Sequence, residues 1–203
     1  MKLRYSPSSP FVRKVWLAVL ELGLEDKVEQ VPTNPLSRED VMNSPNPLGK
    51  VPCLETDYGV ALYDSAVIIQ YLDAEFGGNK LIPATGPDRW TALRRQALAD
   101  GMIEASVLCF IEGMRNPERQ SRGWIGHNRN AVVRALMALE GEAGDLDGPL
   151  TVGHLTISVA LETADIHFAD MKWRADHSGL AAWFESFRQR PSLQASELQD
   201  PRK

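Results

Sequence analysis

Cysteine is scarce in this sequence: Cys53 and Cys109 are the only two. They stand far apart and form neither a CxxC pair nor zinc-ligand spacing, which excludes a disulfide framework and makes a reducing, cytoplasmic compartment the expectation. Long apolar runs are missing as well. No segment approaches the ~18 apolar residues of a membrane span. Met1-Lys2-Leu3-Arg4-Tyr5 runs straight into Ser and Pro without the apolar stretch of a signal peptide, so neither membrane insertion nor secretion is expected. Positive charge is in deficit, with 22 Lys and Arg against 27 Asp and Glu and a formal net charge of -5. Binding a phosphate backbone calls for clustered basic side chains, and the pair Arg94-Arg95 does not supply them; no nucleic-acid partner is expected. His127, His154, His167 and His177 show no ligand spacing, so no metal is expected either. Gly49-Lys50 is not a phosphate loop, because Ser44 stands where that pattern needs its first glycine and Val51 follows the lysine.

What remains is an ordinary globular composition over 203 residues, 43% hydrophobic and 24% charged, enough for one domain or two small ones. The first part alternates strands and helices. Leu3 and Tyr5 alternate with Lys2 and Arg4 as a strand requires, and a helix follows with Ser9 as N-cap, Pro10 at its first position and Val12, Val15, Trp16, Val19 and Leu20 at helical spacing. Gly23 ends it. Val28 to Val31 reads as a weaker strand, and Pro32 to Pro47 as an irregular stretch with at most one short helix. Val51 to Glu55 and Val60 to Tyr63 flank the turn Asp57-Tyr58-Gly59 as an antiparallel hairpin, after which Asp64-Ser65 opens a helix. Beyond Phe76 the pattern changes. Residues 79–86 read as a linker, and helical periodicity dominates afterwards, over about 88–114, 125–139, 156–168 and 179–188. The expected division is a mixed-sheet domain over 1–78 and an all-helical domain over 87–203.

Two helix starts carry residues suited to chemistry. Ser9-Pro10 places a hydroxyl beside the exposed amides of a first turn, a position that attracts anions; the plain alternative is a helix cap. Asp64-Ser65 has the same double reading. Strand-to-helix turns of one sheet tend to open onto a shared crevice, which makes the two together more informative than either alone.

Ser9-Pro10-Phe11-Val12-Arg13-Lys14-Val15 resembles the active-site segment of the glutathione transferase superfamily. Asn46-Pro47-Leu48-Gly49-Lys50-Val51-Pro52-Cys53-Leu54 resembles the loop before its cis-proline, and Asp64-Ser65 with Ile68 and Tyr71-Leu72 the start of its γ-glutamyl-binding helix. The three lie in family order at family spacing, and small bacterial serine-type members are the nearest in pattern. The resemblance implies an α/β thioredoxin-like N-terminal domain, an all-α C-terminal domain and a cytoplasmic, homodimeric enzyme of detoxification. Its partners would be glutathione, as co-substrate, and a small, hydrophobic electrophile. Ser9 would donate to the glutathione sulfur. Phe11, Lys50, Val51, Pro52, Asp64 and Ser65 would complete the glutathione site, with Pro52 cis, Val51 pairing its backbone with the cysteinyl part and Lys50 meeting a carboxylate. Phe11, Met102, Glu104, Ala105 and Arg115 are acceptor-pocket candidates by position, although an apolar stripe on a helix is also simply core. A serine cannot enter thiol–disulfide exchange, so glutaredoxin chemistry is not implied. Cys53 and Cys109 read as small buried hydrophobes. Two alternatives share the scaffold: a non-catalytic binding or regulatory module, and a glutathione-dependent isomerase or dehalogenase. Thr156-Ile157-Ser158-Val159 occupies the place of the family's buried capping box. Val159 cannot reach back to an amide, so a cap weakened by ~1 kcal/mol is expected.

Overall fold

The computed structural model describes residues 1–202. Its first elements are β1 (Lys2–Tyr5), α1 (Pro10–Leu22), β2 (Glu29–Pro32), α2 (Arg38–Met42), β3 (Cys53–Glu55), β4 (Ala61–Leu62) and α3 (Ser65–Leu72). The helical part follows as α4 (Gly86–Gly113), α5 (Arg122–Gly141), α6 (Val152–His167), α7 (Trp173–Asp176), α8 (Ser178–Phe187) and α9 (Pro191–Gln194). No helix among the described residues is long and apolar enough to cross a membrane.

The sheet has the order β2-β1-β3-β4, with β2 parallel to β1 and both remaining pairings antiparallel. Leu3 sits in its centre, paired with Gln30 on one side and Leu54 on the other. Leu3 and Leu54 are fully buried, as are Val15, Leu17 and Val19 of α1 and Ile68, Ile69 and Leu72 of α3. These side chains are the core of the first unit, since α1 contacts α3 and α3 contacts β3. Gly23 closes α1 at φ 66°, with the amides of Gly23 and Leu24 returning to the carbonyls of Leu20 and Val19. Only glycine takes that left-handed position without strain.

Contacts divide the chain into two compact units, Met1–Arg89 with the residues from Pro191 onward, and Trp90–Arg190. This differs from the expected 1–78 and 87–203 at both ends. Residues 79–86 belong to the first unit because the Asp73 carboxylate, 1% exposed, accepts from the amides of Leu81 at 3.0 Å and Ile82 at 2.7 Å. Residues 191–202 group with the first unit as well. Ser192 Oγ donates to Glu21 at 2.6 Å, and the buried Arg13 reaches the Leu193 carbonyl and Ser196 Oγ.

In the helical unit α6 is buried on all sides from Val152 to Leu161, which accounts for its lack of a polar stripe. Its hydroxyls return to the helix: Thr156 Oγ1 donates to Val152 O, Ser158 Oγ to Leu155 O and Thr163 Oγ1 to Val159 O. The helix therefore begins one turn before the expected start at Thr156. Thr151 is its N-cap, and His154 at the third helical position accepts from the Thr151 amide through Nδ1 at 3.0 Å. The missing acid at Val159 thus weakens no cap, because Thr156 and Val159 lie inside the helix. Glu140 of α5 caps α8 from outside, accepting from the amides of Gly179 and Leu180 at 3.0 and 2.7 Å.

Candidate active site

Strand direction decides where the singled-out residues meet. The chain leaves the C-terminal end of β1 at Tyr5, turns through Ser6 to Ser9 and enters α1. β3 is antiparallel to β1, with Cys53 opposite Arg4, so Lys50, Val51 and Pro52 arrive at that same end of the sheet. β4 is antiparallel to β3, with Leu62 opposite Leu54, so it too departs at this end, into Tyr63, Asp64 and Ser65. Three separate stretches of sequence are gathered at one edge by register alone. Thr33, leaving β2, joins them, its amide donating to Tyr5 O at 2.8 Å.

Each stretch presents polar groups with bonding capacity in hand. Ser9 Oγ accepts from Val12 N at a long 3.4 Å. That cap occupies a lone pair and leaves the O–H proton unused, and among the described residues Ser9 donates to no acceptor. Pro10 has no N–H, so Phe11, half-buried, carries the first amide of α1, and that amide has no partner among the described residues. A hydroxyl donor and the positive end of a 13-residue helix thus share one spot, an arrangement that favours an anion.

The stretch before β3 is built around Asn46, which is 2% exposed. Its Nδ2 donates to Lys50 O at 2.9 Å and its Oδ1 accepts from Leu48 N at 3.0 Å. Gly49 follows at φ 63°, where a Cβ would lie 2.6 Å from Val41 Cγ1, so glycine is required on both counts. The Val51–Pro52 peptide is cis, as the resemblance implies, and so is Tyr63–Asp64. Among the described residues the Val51 N–H and carbonyl find no partner, and the exposed Lys50 Nζ has no counter-ion. An open donor, an open acceptor and a cation therefore stand beside the Ser9 turn. Asp64 caps α3 through Oδ1, accepting from Ala66 N at 3.0 Å; its carboxylate is exposed, and Ser65 is 3% exposed.

Cys53, next to Pro52, is fully buried, and burial pushes its thiol up, with Glu55 adding and Arg4 opposing. Cys109 is 8% exposed and pushed up by burial in the same way. Both are protonated and inert at neutral pH. Of the acceptor candidates in the helical unit, Met102 and Ala105 are 1% and 5% exposed, inside that unit's core. Glu104 and Arg115 are exposed, and Arg115 pairs with Glu112 at 3.4 Å.

A cavity of about 340 Å³ lies at the other end of the sheet, lined by Met1, Lys2, Glu29, Glu55 and Asp57 among others. Its three carboxylates stand against as many cations, Asp57 held by the N-terminal amine at 2.8 Å, Glu55 by Arg4 at 3.0 Å, and Lys2 in the same lining. None of the site residues singled out in the sequence lines it.

The family described as "Glutathione S-transferase, N-terminal domain" matches residues 3–80. The GST-like protein YibF of Escherichia coli K12, itself uncharacterized, is 31% identical over 97% of this chain and 98% of its own. A glutathione transferase family member from Pseudomonas fluorescens Pf-5, solved with bound glutathione, is 39% identical, covers 98% of each chain and superposes with a TM-score of 0.92. A glutathione S-transferase from Methylobacterium radiotolerans, solved with glutathione sulfonate, is 30% identical over 96% of this chain and 93% of its own, with a TM-score of 0.88.

Proposed function

This chain belongs to the glutathione transferase superfamily, and from that membership we propose that it is a glutathione transferase in which Ser9 holds the glutathione sulfur as a thiolate for attack on a small, hydrophobic electrophile. The observation that carries the reading is the convergence at one sheet end of the Ser9 hydroxyl, the open Val51 backbone and the Asp64-Ser65 helix start. In this reading the Val51 N–H and carbonyl pair with the cysteinyl backbone of the tripeptide. Lys50 meets a carboxylate, and Asp64 with Ser65 holds the γ-glutamyl end, where the α-ammonium seeks a carboxylate. Phe11 and Pro52 shape the walls.

The chemistry follows from charge. A free thiol has a pKa of ~8.5, so little thiolate exists at neutral pH, and each pH unit of depression corresponds to ~1.36 kcal/mol of preference for the anion. A helix end supplies at most ~2 kcal/mol, and the Ser9 O–H adds a charge-assisted hydrogen bond of ~1.5–3 kcal/mol, part of which replaces bonds to water. A depression of about one to two pH units is the net expectation. The thiolate then forms a carbon–sulfur bond to the electrophile while the leaving group departs with its electron pair. The working form in this reading is a cytoplasmic homodimer.

Calorimetric titration with glutathione and turnover of a generic aryl halide test the assignment together. Ser9→Ala is expected to bind glutathione nearly as the parent does and to turn over about ten- to a hundredfold more slowly, because the lost bond is made to the thiolate. Equal turnover in the two proteins reduces Ser9 to a helix cap and ends the reading.

A further inference from the structure

The Ser6–Ser9 turn is closed within itself by a hydrogen bond from Ser9 N to Ser6 O at 3.1 Å. Its apex is Pro7, which has no N–H, so the carbonyl is the hydrogen-bonding group that peptide offers. That carbonyl accepts from Gln199 N at 3.2 Å, from a residue 192 positions away. The segment that brings Gln199 there runs antiparallel along the whole of α1. Ser192 meets Glu21 in the last turn, Leu193 and Ser196 meet Arg13 in the first, and Gln199 meets Pro7 beyond it. Arg13 is 5% exposed. A guanidinium so buried needs its bonds satisfied, which makes this docking more than a surface association.

We propose that the segment from Pro191 to Gln199 is a strap that positions the Ser9 hydroxyl, with the Gln199 amide, Ser196 and Arg13 as positioning residues. The proposal rests on the assignment of Ser9 as the sulfur's donor. The turn is pinned on its strand side by Thr33 N to Tyr5 O at 2.8 Å and on its apex by Gln199. Releasing the apex lets the Ser6–Ser9 turn shift relative to β1. Ser9 lies two residues on, and a donor displaced by a fraction of an ångström loses the alignment a thiolate requires. Binding of the tripeptide, held elsewhere by Lys50, Val51 and Asp64, is largely spared.

Gln199→Pro removes the amide and keeps the chain, whereas Gln199→Ala keeps the amide. The thiol pKa of bound glutathione, kcat, and KM for glutathione are read on parent and variants. Gln199→Pro is expected to raise the thiol pKa by about one pH unit and lower kcat about tenfold, with KM within about twofold, and Gln199→Ala to retain parent values. A thiol pKa in Gln199→Pro equal to that of a parent that does depress it overturns the strap and leaves the Ser9 assignment standing. A parent that binds glutathione without depressing its thiol refutes the Ser9 assignment, and the strap's role with it. Should Gln199→Pro fail to fold, Ser196→Ala, which removes one tie to Arg13, is measured in its place: a raised thiol pKa supports the strap and an unchanged one overturns it.

Discussion

Replacing His154 by Gln should flatten the acid side of the stability profile. His154 is 3% exposed, and burial first, then the cationic Arg95 and Arg190, push its pKa down to about 4 from the ordinary 6.5. Its Nδ1 accepts from Thr151 N at 3.0 Å, so protonation also destroys the reciprocal cap of α6. The folded state binds this proton less readily than the unfolded state, so stability is complete above pH 6.5, falls as pH drops from there towards 4, and falls no further below. At ~1.36 kcal/mol per pH unit the whole loss is about 3 kcal/mol, and about 2 kcal/mol of it falls between pH 7 and 5. Gln keeps a side-chain acceptor at the third helical position and does not titrate. Urea unfolding at pH 5 and 7 should show the parent's midpoint falling about 0.7–1 M further than the variant's, at slopes of ~2–3 kcal/mol per M. His127, His167 and His177 are common to both proteins and cancel in the comparison. Parallel profiles would refute the claim that the folded unit holds His154 neutral.

Two further substitutions test the supports of site and unit. Gly49→Ala places a Cβ 2.6 Å from Val41 Cγ1 at a positive φ; a loss of about 1–3 kcal/mol and a raised KM for glutathione are expected, checked by thermal melts and kinetics. Glu142→Gln removes the partner of both Arg94 and Arg95, at 2.7 and 2.9 Å. Arg94 foremost, and then Arg95, hold the Glu142 carboxyl down at about 2 from 4.5 against the opposing effect of burial, so its contribution is complete above pH 4.5 and disappears as pH falls towards 2. The parent's advantage over Glu142→Gln, about 1–3 kcal/mol at pH 7 after allowance for solvent screening, should therefore shrink to less than half by pH 3 in denaturant titrations.

Local signals in the sequence proved the legible ones. Ser9 before Pro10, Gly23 after an apolar stripe, and Asp57-Tyr58-Gly59 between alternating runs each specify backbone geometry within a few residues, and the structure places α1, its end and the β3–β4 hairpin accordingly. The register that gathers Ser9, Val51 and Asp64 is a long-range property, and the sequence supported only the general expectation that such turns share a crevice. The start of α6 was hidden by Gly153, a poor helix former in its first turn, although Thr151 with His154 three residues later carried a capping signal. The segment after Pro191 was illegible for a different reason. Its helix has four residues, no periodicity, and ties made through Gln199 N and the Arg13 guanidinium to groups nearly the whole chain away.

Stabilisation of a thiolate by Ser9 is read directly by pH titration of thiolate absorbance for glutathione bound to the parent and to Ser9→Ala. The thiol pKa is expected about one to two pH units below the free value in the parent, moving back towards it in the variant. A depressed pKa unchanged by the substitution, or no depression in a parent that binds glutathione, would contradict that stabilisation.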